Sequence, residues 1–199
     1  MAEVIEVSGD VPADGRRARR HRSRDLAVDA LLDLLNEGVA RPTAQQVAER
    51  SGVSLRSIFR IFDDVQSLHM AASERQMTRV RHLFVDIVAT GTLEERVQAT
   101  VATTSRLYES VAPIRRAALR AAPESATLQL QLDRARGWLR AEIDRVFAEE
   151  LARFDDPARA AAVEAVLSFE TWDQLRTGQA RSAARAAATI RLAVLALLR

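Results

Sequence analysis

Thr43-Ala44-Gln45-Gln46-Val47-Ala48-Glu49-Arg50-Ser51-Gly52-Val53-Ser54-Leu55-Arg56-Ser57-Ile58-Phe59-Arg60 is the stretch on which the reading of this chain turns. Thr43 follows Pro42 and precedes Gln46 by three, the arrangement of a capping box, and opens a short helix to about Arg50. Ser54 can cap a second short helix through about Phe62. Two short helices that cross steeply need a small side chain where they touch, and Ala48 supplies it. The tight turn between them needs a residue tolerant of positive φ, and Gly52 supplies that. Val47, Val53, Ile58 and Ile61 fill the small core beneath the pair. This is the spacing of a helix-turn-helix, whose second helix enters the major groove of DNA. A plainer origin is also open, since any two short helices joined by a Ser-Gly turn could look like this.

Working outward, Leu26, Ala27, Ala30, Leu31, Leu34 and Leu35 recur at helical spacing with Asp25, Asp29 and Asp33 opposite, and Gly38 is the stop. Upstream lies Arg16-Arg17-Ala18-Arg19-Arg20-His21-Arg22-Ser23-Arg24, either a solvated charged arm or one that seeks phosphates. Residues 1–15 mix Gly, Pro, Asp and Glu without periodicity and read as a disordered tail. Downstream, Asp63 or Asp64 can cap a long fourth helix to about Ala89, ended by Thr90-Gly91. Further helices are expected at Leu93–Ser110, Pro113–Ala121, Glu124–Arg153, Pro157–Thr177 and Gln179–Leu198, with a break at Gly137 a possibility. Pro113, Pro123 and Pro157 stand where helices would start. No strand-like alternation and no internal repeat stand out. The expected fold is therefore all-α, with about nine helices.

Composition narrows the function classes. The 199 residues are 48% hydrophobic and 28% charged, and the chain contains no cysteine. Disulfides, thiolate nucleophiles and cysteine metal sites are thereby excluded. All 29 basic residues are arginine, and the formal net charge is only +2. Distribution matters more than the total: Arg16 to Arg60 holds ten arginines against five acids, whereas residues 1–15 hold four acids and no base. A polyanionic partner fits the early part of the chain. The most apolar run, Leu192–Leu198, is far too short for a membrane span. Residues 1–15 lack the apolar core of a secretory signal, so a cytoplasmic location and no membrane partner are expected.

Enzyme chemistry finds little support. His21, His69 and His82 are scattered, with no His-Asp-Ser order, metal-ligand spacing or Gly-rich phosphate loop near them. No catalytic residue, metal site or cofactor is expected. An α-helical enzyme, or a helical adaptor that keeps the fold without binding DNA, is the alternative reading.

The segment from Arg24 to Leu68 resembles the DNA-binding domain of the TetR family of transcriptional regulators. The resemblance rests on Ala30-Leu31-Leu32-Asp33-Leu34-Leu35 with Gly38, then Thr43-Ala-Gln-Gln-Val47-Ala48. It continues through Ser51-Gly52-Val53-Ser54 and Ser57-Ile58-Phe59-Arg60-Ile61-Phe62 to Leu68, about a quarter of the chain. Three positions depart from the family pattern: Phe59 where tyrosine is usual, Ile61 for a frequent histidine, and Val65 for the common lysine. At Phe59 the packing role is expected to survive without the phenolic phosphate contact.

The resemblance implies three regions: a tail with a basic arm over 1–22, a helix-turn-helix domain over 23–68, and an effector-binding and dimerisation domain over 69–199. It implies a regulator, expected to be a repressor released from a palindromic operator in double-stranded DNA by a small-molecule effector, and working as a homodimer. Leu55, Arg56, Ser57 and Arg60 would face outward on the reading helix. Arg56 is the best candidate to read guanine bidentately, and Arg60 a base or phosphate contact. Thr43 and Ser54, at helix starts, would present N–H groups and hydroxyls to phosphates, or act as caps alone. Phe59 belongs to the same surface, and Arg22 and Arg24 would carry the arm to the backbone or the minor groove.

For the effector the candidates are Arg81, Phe84, Tyr108, Trp138, Phe147, Phe169 and Trp172, with Glu170 as a further polar anchor and core packing as the alternative for each aromatic. For the dimer they are Val166, Phe169, Ile190, Val194, Leu195 and Leu198, whose apolar surface could instead be buried in the domain's own core.

Overall fold

The structure, a computed structural model, describes residues 13–83, 87–154 and 156–199. It is 85% helical with ten α-helices and, among the described residues, no strand. Two units emerge, one ending at Ala72 and the other running from Ser73 to Arg199. The division falls at 72/73 rather than the expected 68/69.

In the first unit α1 spans Ala13–Asn36, α2 Ala44–Ser51 and α3 Leu55–Ile61, and α4 begins at Val65 and continues to Val80. The second half of α1 buries Ala27, Val28, Leu31, Leu32, Leu34 and Leu35. Its first half exposes Arg16, Arg17, Arg19, Arg20 and Arg22. Residues 13–22 are thus helical and not the unstructured arm expected, while the acidic stretch 1–12 lies outside the described residues. Arginine and alanine favour helix, and no Gly or Pro interrupts residues 16–36, so a helix held by its buried half extends backwards at little cost. It stops at Gly38, φ +89°, where Val39 N–H bonds back to the Leu34 carbonyl at 3.0 Å.

Thr43 and Gln46 form the reciprocal capping box of α2, and Gly52 takes the left-handed conformation, φ +69°, that turns the chain into α3. Val47, Ala48, Val53 and Ile58 are buried as expected. Phe62 at 4% exposure completes the small core, whereas Ile61 stays half-buried. Glu37 and Arg50 join the end of α1 to α2 through two hydrogen bonds of 2.7 and 2.6 Å. The Arg50 guanidinium holds the Glu37 carboxyl below its ordinary range. Both side chains are exposed, so this pair orients the helices more than it stabilises them.

The second unit is built on α5, Leu93–Ala121, opened by a capping box of Thr92 and Glu95. Around it lie α6 (Ala126–Val146), α7 (Ala148–Phe154), α8 (Pro157–Leu167), α9 (Phe169–Asp173) and α10 (Ala183–Leu198). α10 packs on α5 and α8, and α6 packs on α5, α7 and α8.

Several boundaries differ from expectation, each for a tertiary reason. α4 ends at Val80, followed by a 3-10 turn at Arg81–Leu83, and does not reach Ala89. Ile87 is instead held by α6: its N–H donates to Glu142 Oε2 at 3.3 Å and its carbonyl accepts from Arg145 at 2.6 Å. Pro113 lies inside α5 and does not open a helix. It removes one rung of the ladder, but Leu107, Tyr108, Val111, Ile114, Ala117 and Ala118 are buried on both sides of it, and that packing outweighs the loss. Gly137 does not break α6, because Leu132 and Leu139 anchor the helix on either side. The expected helix over 157–177 divides at Ser168, whose hydroxyl caps α9 by accepting from Thr171 N–H at 3.2 Å. α10 starts at Ala183 and not at Gln179, because Ser182 supplies its cap.

Candidate nucleic-acid interface and ligand cavity

Every side chain proposed for reading DNA sits on α1 to α3 or their caps. Ser54 Oγ accepts from the Ser57 N–H at 3.2 Å and hydrogen-bonds the Ser57 hydroxyl at 2.9 Å, fixing the first turn of α3. Thr43 Oγ1 does the same for Gln46 N–H at 3.2 Å. Leu55 and Ser57 are half-buried, and Arg56 and Arg60, one turn apart, are exposed. Among the described residues neither arginine has an ion-pair or hydrogen-bond partner. Phe59 is 53% exposed. That corrects the expectation that its ring packs within the domain: it is an apolar surface offered outward beside the two arginines. Arg22 is exposed, but Arg24 is half-buried with its guanidinium 5.7 Å from the centre of the Phe62 ring. Arg24 therefore ties α1 to the end of α3.

A cavity of about 750 Å³ lies within the second unit. Tyr108, Trp138 and Phe169 line it, as does Glu170, which pairs with Arg136 at 3.2 Å. Trp172 does not reach it. Its ring is buried behind the others, 5.8 Å from Tyr108 and 5.7 Å from Phe169, and belongs to the core. Arg81 is exposed on the 3-10 turn and is not among the lining residues. Phe84 lies outside the described residues. Tyr108 donates its hydroxyl to the Leu167 carbonyl at 2.8 Å, and burial raises its pKa, so it remains a neutral donor. Arg115, which the sequence did not single out, also lines the cavity. Helical periodicity places it beside the buried Tyr108–Ala118 face, but no local pattern separates it from Arg116, which pairs with Asp173 at 2.6 Å.

Of the residues assigned to a dimer face, Phe169, Ile190, Val194, Leu195 and Leu198 are buried in the second unit's own core, and Val166 is half-buried. Their apolar surface is consumed by α10 packing on α5 and α8. The exposed side of α10 carries Ala184, Ala188 and Ala196 with Leu192, which is 70% exposed, beside Arg185, Thr189 and Arg191. On α8 Ala161 and Ala165 are exposed and line the cavity.

No cluster of three or more His, Asp or Glu side chains that could hold a metal occurs among the described residues, and no described helix is long and apolar enough to cross a membrane.

A capped helix-turn-helix followed by a helical body with a large apolar cavity defines the architecture. No protein-family model matches the sequence, and neither does any curated protein. Solved structures do match in shape. One is described as a TetR-family transcriptional regulator from Streptomyces coelicolor, with a TM-score of 0.63 and 21% identity, covering 91% of this chain and 80% of that one. Another is described as a proposed transcriptional regulator from Streptomyces coelicolor A3(2), with a TM-score of 0.58 and 18% identity, covering 87% of this chain and 98% of that one. The fold of this protein is that of the TetR-family regulators.

Proposed function

We propose that this protein is a DNA-binding transcriptional regulator: a homodimer that represses by holding a palindromic operator and lets go when a small molecule enters the second unit. The observation that carries the reading is α3. A seven-residue helix, capped at Ser54 and set by the left-handed Gly52, holds Arg56, Phe59 and Arg60 exposed with both guanidiniums unpartnered among the described residues. Such a surface suits base edges and phosphates, and the arginine-rich first half of α1 adds charge for the backbone. The caps at Thr43 and Ser54 leave the first N–H groups of α2 and α3 available for phosphates.

A single helix of this length reads few base pairs, which favours a two-fold dimer with its recognition helices about 34–36 Å apart, or a multiple of it. The exposed Ala184, Ala188, Leu192 and Ala196 side of α10 is the surface proposed for the partner. α4 is the proposed coupling element. Ser73, Glu74, Gln76 and Met77 of this one helix line the cavity, and its first residues belong to the DNA-reading unit. An effector that binds the two forms differently by about 1–3 kcal/mol would shift the equilibrium between them, and DNA would weaken effector binding by the same factor.

Arg56→Ala is expected to cost about 1–3 kcal/mol on the selected operator and to relax preference at one base pair per half-site. Quantitative mobility shifts on operator variants measure this. Equal weakening on every sequence would make Arg56 a phosphate contact, and no weakening would remove α3 as the reading element.

A further inference from the structure

The charges that line the cavity are ion-paired or exposed to solvent, except for one part-buried guanidinium. Arg136 pairs with Asp133 at 3.0 Å and with Glu170 at 3.2 Å, and Glu164 pairs with Arg140 at 2.8 Å. Glu74 and Arg134 are exposed, solvated and opposite in sign. Among the described residues Arg115 has neither an ion-pair nor a hydrogen-bond partner. Its Nε–H is fully buried and donates to nothing, and its guanidinium carbon stands 5.0 Å from the centre of the Phe169 ring. Burial pushes its pKa down; Tyr108 and Glu170 oppose the fall and Arg136 adds to it. A guanidinium stays charged at any physiological pH, so the cavity wall keeps a positive charge that, among the described residues, no acid meets through a hydrogen bond or ion pair.

Elsewhere the wall is mostly apolar, with Met77, Leu107, Val111, Ile114, Leu132 and Leu139 among its residues and Gln76 and Gln131 as polar ones. Its volume of about 750 Å³ lies in the range of sites that enclose drug-sized ligands. Met77 is 43% exposed, which leaves the lining reachable from solvent. Tyr108 already donates its proton to the Leu167 carbonyl, so its hydroxyl is occupied, whereas the buried Nε–H of Arg115 is not.

Resting on the reading of this cavity as the effector site, we propose that it takes an amphipathic carboxylate, with the anionic head on Arg115 and an apolar body along the aliphatic wall. One uncompensated guanidinium matches one negative charge, and its planar fork matches the two oxygens of a carboxylate. A dianion would leave a surplus charge near Glu170, whose own partner Arg136 is already engaged. A part-buried guanidinium with its Nε–H unsatisfied is also a feature that stability alone does not favour. Retaining it suits a binding group.

The test uses three ligands of equal chain length, dodecanoate, dodecanol and dodecylamine, below their micelle concentrations. They are titrated into the full-length protein by calorimetry and by tryptophan fluorescence, which reports on Trp138 in the cavity wall. Wild type is expected to bind dodecanoate at least tenfold more tightly than dodecanol, with dodecylamine weakest. Arg115→Met, which keeps the aliphatic stem, is expected to erase the preference for the acid and leave the alcohol unchanged, while Arg115→Lys retains part of it. Arg115→Met is also expected to melt at or above the wild-type temperature. Equal wild-type affinities for acid and alcohol, failure of all three to bind, or an undiminished preference in Arg115→Met would overturn the proposal. Dodecanoate bound through Arg115 without any change in DNA binding would keep this inference and remove the effector reading. DNA release by dodecanol as readily as by dodecanoate would do the reverse.

Discussion

Arg96→Ala is expected to destabilise the second unit by about 3–5 kcal/mol, because it breaks a buried charge pair from one side only. Arg96 is 7% exposed and Glu150 8% exposed. One guanidinium nitrogen donates to Glu150 Oε2 at 2.9 Å and the other to Oε1 at 2.5 Å. The first nitrogen also donates to the Val146 carbonyl at 2.6 Å, satisfying the end of α6 just before the chain turns at Phe147 into α7. The guanidinium stands 5.9 Å from the centre of the Phe147 ring. One side chain of α5 thus fixes the junction of two other helices. Removing it strands a carboxylate and a carbonyl away from water, and each loss adds to the penalty.

The hydrogen bond from Arg96 lowers the Glu150 pKa, with burial opposing it. A carboxyl with a depressed folded-state pKa stabilises the fold above its unfolded value of about 4.3, and that stabilisation is lost as pH falls through the folded value. Urea titrations followed by helical circular dichroism should show wild type weakening in acid and Arg96→Ala weakened at neutral pH with a flatter acid slope. Replacing both partners by leucine and methionine should recover most of the loss. A single-variant effect below about 1 kcal/mol, the range of an exposed pair, would show that the junction does not depend on this bridge.

Leu192→Asp is expected to dissociate the proposed dimer and, with it, operator binding. Leu192 is exposed at 70% on one chain, so the substitution should leave the fold of a single subunit intact. In a two-fold interface every change counts twice. Losing about 1.5–3 kcal/mol of leucine burial per copy, and placing two unpaired carboxylates in an apolar contact, amounts to about 4–8 kcal/mol. At 1.4 kcal/mol per factor of ten that is on the order of a thousandfold or more in the dimerisation constant. Sedimentation velocity at micromolar concentration reads the outcome directly. An unchanged dimer would place the interface elsewhere, and a wild-type monomer would remove it.

The local chemistry of the reading unit was legible in the sequence, because each decision there is made within a few residues. Thr43 with Gln46, Gly52 and Ser54 each specify a cap or a turn without help from distant parts of the chain. Pro113 misled for the complementary reason: its local preference is overridden by buried residues of α5 on both sides. The end of α4 is similar, since the backbone of Ile87 is claimed by Glu142 and Arg145, more than fifty residues away in sequence. The dimer residues were drawn from the most apolar positions of the last helices, and those are the ones a domain buries first. The exposed face mixes alanine and one leucine with Arg185, Thr189 and Arg191, which hydrophobicity alone ranks low. Arg115 could not be told from its neighbours, because what distinguishes it is the missing partner, a property of packing and not of pattern.

Sequence-specific DNA binding through α3 is open to a decisive test, selection from fragmented genomic DNA by the purified protein. Retained fragments are sequenced, then bound again at about 50 and 200 mM salt, where phosphate neutralisation makes affinity fall steeply. The expected result is a small set of fragments sharing an inverted repeat, bound with a steep salt slope by wild type. Arg56→Ala should bind those fragments more weakly and less selectively. Retention of no fragment at the lower salt, or equal retention of all fragments unaffected by Arg56→Ala, would contradict the account.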